Sequence, residues 1–253
     1  MKTSKINLSF ALLFLILPLL SFAQEDKMQA YWVHEDQVLP SKFVEYENMN
    51  KELISELKKH NIKDEIWYAA STSNGNYYYI TPIKNMAELD RPLFGSLADK
   101  IGEDKLQDMF KGMSSCYSKH GDYIMHLDNS LSYSPEGVEA NPDHNYRKYY
   151  TLHVSPESMP HAAKVLKKIK DFYKSKNSKM GYRVYQSGFG TMDSFFMIAV
   201  SSKDGLSFET ESEANDKLLG DERYKVFNEL LKHLTKIEEQ TGMMRPELAY
   251  VPE

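Results

Sequence analysis

The chain has 253 residues, 42% of them hydrophobic, with 31 basic and 36 acidic side chains and a formal charge of −5. That mildly acidic balance argues against a nucleic-acid or anionic-membrane partner, because phosphate binding needs clustered positive charge. Its one cysteine, Cys116, rules out an internal disulfide, and a chain this long builds its cores without one.

Residues 1–23 read as a secretory signal. Lys2 and Lys5 supply the positive end, residues 10–20 an apolar run broken by Pro18, and Ser21, Phe22 and Ala23 a small-x-small cleavage pattern before Gln24. The apolar run is shorter than the roughly 20 residues a membrane span needs. The expectation is an exported protein, secreted or periplasmic, with no membrane partner after cleavage. Removal of the signal leaves 29 basic and 36 acidic side chains.

Residues 30–34 alternate and are aromatic, which predicts a strand. Pro40 and Ser41 open a helix whose apolar stripe is Phe43, Tyr46, Leu53, Ile54 and Leu57. Residues 65–70 and 76–80 read as a strand pair around the turn-rich 71–75. A helical pattern runs from Asp104 to about Ser118, with Cys116 in register as a small buried thiol. Residues 122–127 predict a closing strand, extended by 131–133.

The order then repeats. A strand at 149–154 precedes a helix after Pro156, with Ala162, Val165, Leu166, Ile169, Phe172 and Tyr173 inward. Strands follow at 181–187 and 194–200. Asp221 caps a helix with Tyr224, Phe227, Leu230, Leu231, Leu234 and Ile237 on its inner face, and 248–251 is the last strand. Short motifs recur in step: Tyr31 and His34 with Tyr150 and His153, Gly102 with Gly220, and Leu131, Tyr133 and Pro135 with Leu248, Tyr250 and Pro252. Their offsets of 119, 118 and 117 residues describe a whole unit carried twice, as a tandem duplication. The units span 24–135 and 147–253, joined by a polar linker at 136–146.

Each unit reads β-α-β-β-α-β, the split arrangement of ferredoxin-like domains. The fold class is α+β. Both phases of the inner strands are apolar or aromatic: Trp67 with Ala69, Tyr77 with Tyr79, Tyr78 with Ile80, Phe195 with Met197. A half-solvated sheet alternates cleanly, so the two antiparallel sheets are expected to pack face to face.

Val154, Ser155, Pro156 and Glu157, the helix at 162–173, the strand from Gly181 through Tyr185 to Ser187, and the apolar strand 195–200 resemble the dimeric α+β barrel superfamily. That superfamily includes antibiotic-biosynthesis-type monooxygenases and NIPSNAP-like proteins. The resemblance covers 150–205 directly and 30–135 through the repeat. It implies an intramolecular dimeric α+β barrel, a monomeric pseudo-dimer or a homodimer. As an alternative activity it implies cofactor-independent oxygenation or haem handling.

His34 and His153 hold the same place in the two copies, in phase with Trp32 and Thr151. If that phase faces the space between the sheets, both line one cavity and can bind a ligand or move protons. The plainer alternative is a packed histidine with a backbone or tyrosine partner. Trp32, Trp67, Tyr77, Tyr79 and Tyr185 would complete a pocket for a small apolar or aromatic ligand, or else fill a core. His120, Asp122, His126 and Asp128 offer nitrogen and oxygen donors, but their spacing matches no recognised metal motif, so no metal and no cofactor are assigned. Glu35 with Asp36, and the acid-rich 209–213, read as solvated loop charge. Nucleophile-elbow, phosphate-loop and CxxC motifs are absent. The residues thus describe an exported protein that binds a small apolar or aromatic ligand in a barrel pocket. An oxygenase or haem enzyme is one alternative, and a non-catalytic, self-associating protein another.

Overall fold

β1 (Met28–Val38) is longer than its aromatic stretch predicted and runs on to a turn led by Pro40. The computed structural model describes residues 28–136 and 141–252, and the predicted signal at 1–23 lies outside them. α1 (Phe43–Lys59) buries Tyr46, Leu53, Ile54 and Leu57, as its stripe requires. Each such side chain contributes roughly 1.5–3 kcal/mol on burial. β2 (Tyr68–Thr72) and β3 (Asn76–Ile83) form a hairpin. α2 (Gly95–Ile101) and α3 (Glu103–Ser114) meet at Gly102, whose φ of 88° suits a residue without a side chain. β4 (Tyr117–Asp128) closes the first half.

The second half follows the same plan: β5 (Tyr146–Val154), α4 (Met159–Ser175), β6 (Arg183–Ser187), β7 (Phe195–Ser202), α5 (Gly205–Leu219), α6 (Glu222–Leu231) and β8 (Leu234–Met244). Two sequence expectations change here. The acids of 209–213 stay largely solvated but belong to α5 rather than a loop. The last strand is β8, not 248–251, and Leu234 and Ile237 leave the helix for it. Their three-residue spacing continues the α6 stripe, yet β8 pairs with β5 along nearly its whole length and with β2 at its end, and those ladders decide the conformation.

The eight strands among the described residues close into one antiparallel barrel, in the order β1-β3-β2-β8-β5-β7-β6-β4. Two four-stranded ferredoxin-like sheets, β4-β1-β3-β2 and β8-β5-β7-β6, join at two seams. One seam runs from Ala70↔Met244 to Thr72↔Gly242, the other from Met125↔Ser187 to Leu127↔Tyr185. Each seam is three residue pairs long, enough to close the ring of strands. The α+β class and the pairing of two ferredoxin-like units hold, and the apolar second faces turn toward one shared interior.

Directly paired residues point to the same side of a sheet. Register therefore sends Tyr31, Val33 and Glu35 inward with Tyr78, Ile80 and Tyr123. It sends Trp32, His34 and Asp36 outward with Tyr77, Tyr79, His120 and Asp122. A helix-side core lies under each half, and Cys116 is fully buried in the first.

The chain ends cross over. Leu248 and Tyr250 complete the first core, while Leu131 and Tyr133 complete the second. Isolated bridges Trp67↔Tyr250 and Tyr133↔Tyr182 hold the two crossings. Trp67 Nε1 donates to Leu248 O at 2.8 Å, and Tyr133 OH to Ser178 O at 2.8 Å. Neither core is complete without the other half.

Candidate functional site

β1 carries charge on both of its faces. Glu35 points inward, where its Oε1 accepts from Asn76 Nδ2 at 2.6 Å and its Oε2 from Tyr123 OH at 3.1 Å. Asn76 Nδ2 also donates to Tyr78 OH at 3.2 Å. Burial pushes the Glu35 carboxyl above the usual carboxylate range, against the pull of hydrogen bonds from Tyr123, Tyr78 and Asn76. Burial likewise raises the Tyr123 phenol, and takes Tyr78 up to about 12, so both are neutral donors at neutral pH.

Further tyrosines line the interior. The Tyr31 and Tyr185 rings meet edge-on, 6.3 Å between centroids. The Tyr149 ring lies across Gly242, where an added Cβ would fall 3.0 Å from the ring and 2.6 Å from Ser71 O. Gly121, the direct partner of Glu35 on β4, is the opposite case: a Cβ there would meet nothing within 4 Å.

The outward face of β1 holds a second network. His34 Nδ1 lies 2.9 Å from Asp122 Oδ1, which also accepts the Trp32 indole N–H at 2.9 Å. His34 Nε2 lies 3.3 Å from Asp36 Oδ1. Asp36 is 4% exposed, and its Oδ2 accepts from Tyr46 OH at 2.5 Å. Burial opposes a charge on His34, but hydrogen bonds and the charges of Asp122 and Asp36 outweigh it and push its pKa up to about 9. The same bond, helped by Trp32, holds Asp122 below its usual range. The His120 ring stands edge-on to His34, 5.8 Å between centroids.

Trp32 and His34 thus meet, with Tyr79 at 6.3 Å from His34 between ring centroids. Tyr77 and Trp67 belong to the first helix-side core, where Tyr77 OH donates to Glu47 at 2.7 Å. Tyr185 faces the barrel interior. His153 sits on the inward face at the barrel end, its Nε2 3.0 Å from Glu238 and its Nδ1 3.6 Å from Asp193. It borders an open groove of about 320 Å³ shared with Met192 and Lys236.

The two histidines do not share a cavity, because they lie on opposite faces of the barrel wall. Pro40 and Pro156 lead equivalent turns, so Tyr150 stands where His34 does and the matched Tyr–His pattern is three residues out of register. An odd slip flips the face. The counterparts of His34, Asp36 and His120 are Tyr150, Leu152 and Ile237, so the outward network belongs to the first half alone.

The stretch 120–128 divides. His120 and Asp122 join His34, whereas Asp128 accepts from Ser130 N and from Gln186 Nε2, and His126 packs over Gly188. Glu35 and Asp36 are not loop charge: β1 continues four residues past His34. The alternation of Trp32, His34 and Asp36 against Val33 and Glu35 carried that signal, and two adjacent acids hid it.

Haem does not fit either histidine. Both ring nitrogens of His34 face carboxylates, and His153 borders a groove with acidic and basic walls, so neither offers an axial ligand beside an apolar slot.

No family model matches the chain, and no curated protein matches it in sequence. Solved structures do match. A candidate monooxygenase from Lactobacillus acidophilus superposes with a TM-score of 0.53 at 10% identity, over 89% of this chain and 100% of that one. An anthrone oxidase-like protein gives 0.54 at 12%, over 87% and 92%. A candidate monooxygenase from Fusobacterium nucleatum gives 0.52 at 12%, over 88% and 98%. The chain has the dimeric α+β barrel fold. Each match runs through both halves of the dimeric α+β barrel, so these proteins also carry both in one chain. At such identities the likeness is one of fold, and function rests on the residues of this barrel.

Proposed function

We propose that this α+β barrel binds a small phenolic or enolisable aromatic compound in its interior and oxidises it with molecular oxygen, with Glu35 as the base. The observation that carries the reading is Glu35 itself. It is a carboxyl group on the inward face of the barrel, held above the usual carboxylate range by burial, and a Cβ at its partner Gly121 would meet nothing within 4 Å. Tyr78 and Tyr123, neutral phenols, hold the Glu35 carboxylate in place with their hydroxyl hydrogens. Tyr31, Tyr149 and Tyr185 supply aromatic walls.

In this reaction the Glu35 carboxylate takes the proton of the phenol or the activated C–H. The resulting enolate gives its electrons to O2 and forms a hydroperoxide, which loses water to leave a carbonyl. Substrate and O2 supply every electron and oxygen atom. The candidate monooxygenases and the anthrone oxidase-like protein of the same fold favour this class as the first to test. Residues 1–23 export the protein on this reading, so the substrate is met outside the cytoplasm.

Oxygen uptake with anthrone and dihydroxynaphthalenes, measured in EDTA, tests the reading. Glu35→Gln is expected to slow uptake about 10²–10⁴-fold, the usual contribution of a positioned base. Uptake at the wild-type rate in Glu35→Gln, or none in the wild type, overturns it.

A further inference from the structure

We infer that His34, Asp36 and His120 form a site for one divalent transition-metal ion on the outward face of β1 and β4. The site is separate from the barrel interior and does not depend on Glu35.

One ligand atom from each of the three residues lies within 4.8 Å of the others. His34 Nε2 and Asp36 Oδ1 are 3.3 Å apart. Donors about 2.0–2.2 Å from a tetrahedral zinc ion stand about 3.4 Å from one another, so this pair already has the spacing of two ligands.

Asp36 Oδ1 gives an independent reason. Asp36 is 4% exposed, and its Oδ1 makes no hydrogen bond of good geometry, its one close neighbour being the His34 Nε2 at 3.3 Å. A buried carboxylate oxygen left in that state is costly. A cation between Oδ1 and Nε2 satisfies both. In its absence a proton on Nε2 occupies the same gap.

The surroundings are those of a metal ligand set. Asp122 holds His34 Nδ1 and is itself fixed by the Trp32 indole, which leaves Nε2 directed at the ion. Tyr46 holds the other oxygen of Asp36. Such outer partners orient ligands and tune their basicity. His120 is exposed and stacks on Tyr117, 5.4 Å between centroids, with a ring nitrogen already within 4.8 Å of the other two ligand atoms. The solvent side leaves a coordination position for water or a small anion. Two imidazoles and one carboxylate suit zinc, cobalt or ferrous iron better than magnesium or calcium.

The full chain, stripped with EDTA, is titrated with Zn2+ by calorimetry and with Co2+ by visible absorption. One ion per chain is expected, with a cobalt d–d band of low-symmetry coordination. His120→Ala, a change at an exposed residue that leaves the fold intact, and Asp122→Asn should each weaken Zn2+ binding at least tenfold. His161→Ala, which breaks the stacked surface pair with His233, should leave it unchanged, as should Glu35→Gln. Absence of one-to-one binding below about 100 µM, or wild-type affinity in His120→Ala, overturns the site.

Discussion

Tyr123 donates its phenol hydrogen to Glu35 at 3.1 Å inside the barrel, while the residues flanking Glu35, His34 and Asp36, point out through the other face of β1. One strand therefore serves two chemically distinct environments. The pleat makes this unavoidable, since successive side chains alternate in direction.

Glu35→Gln should stabilise the protein at neutral pH as well as remove the base. A carboxyl group raised in the folded state contributes stability that is fully present below its unfolded pKa and is lost as pH rises through the folded value. For Glu35 that loss begins just above the ordinary glutamate range. Wild type should therefore lose Tm relative to Glu35→Gln between about pH 4 and neutrality. Scanning calorimetry across that range checks the sign, and an unchanged difference contradicts it.

Gly121 and Gly242 should respond oppositely to enlargement. Gly242→Ala puts a Cβ 2.6 Å from Ser71 O at the β2–β8 seam and should cost about 1–3 kcal/mol in urea denaturation. Gly121→Ala meets open space and should stay within about 0.5 kcal/mol of wild type. Gly121→Leu fills the space beside Glu35, and should keep the fold while losing oxygen uptake with the largest substrates first.

The crossed chain ends should make both halves unfold together. Leu248→Ala empties a fully buried position in the first core, and Leu131→Ala one in the second. Each should cost about 2–5 kcal/mol. Because each tail serves the opposite core, either change should lower a single calorimetric transition without splitting it in two.

Tyr46→Phe removes the hydrogen bond to the buried Asp36 Oδ2 and should cost about 1.5–3 kcal/mol, the range for a bond to a charged group. Tyr77→Phe, whose partner Glu47 keeps a second contact with Arg245 at 2.7 Å, should cost less. Equilibrium denaturation of the two variants side by side tests the order.

Much of the architecture was legible because it is written in periodic burial. The α1 and α4 stripes, the βαββαβ order in each half and the apolar second faces all follow from spacing. Leu131 and Tyr133 matched against Leu248 and Tyr250 marked segments that do correspond, though their crossing into opposite cores has no local signal. The site was harder to read. Tyr31 with His34 and Tyr150 with His153 match as letters, but an odd offset in a strand reverses the face, and only the ladder register reveals it. Glu35 and Asp36 looked like loop charge because adjacent acids carry no periodicity of their own. The strand at 234–244 was masked by leucine and isoleucine spacing that continues a helix.

Titration of the Glu35 side-chain carboxyl by carbon-13 NMR, assigned by its loss in Glu35→Gln, probes the proposed base directly, with and without 2-naphthol. A titration midpoint above that of the surface glutamates is expected, with a further shift on binding the phenol. A Glu35 that titrates with the surface glutamates and ignores the phenol would contradict that role.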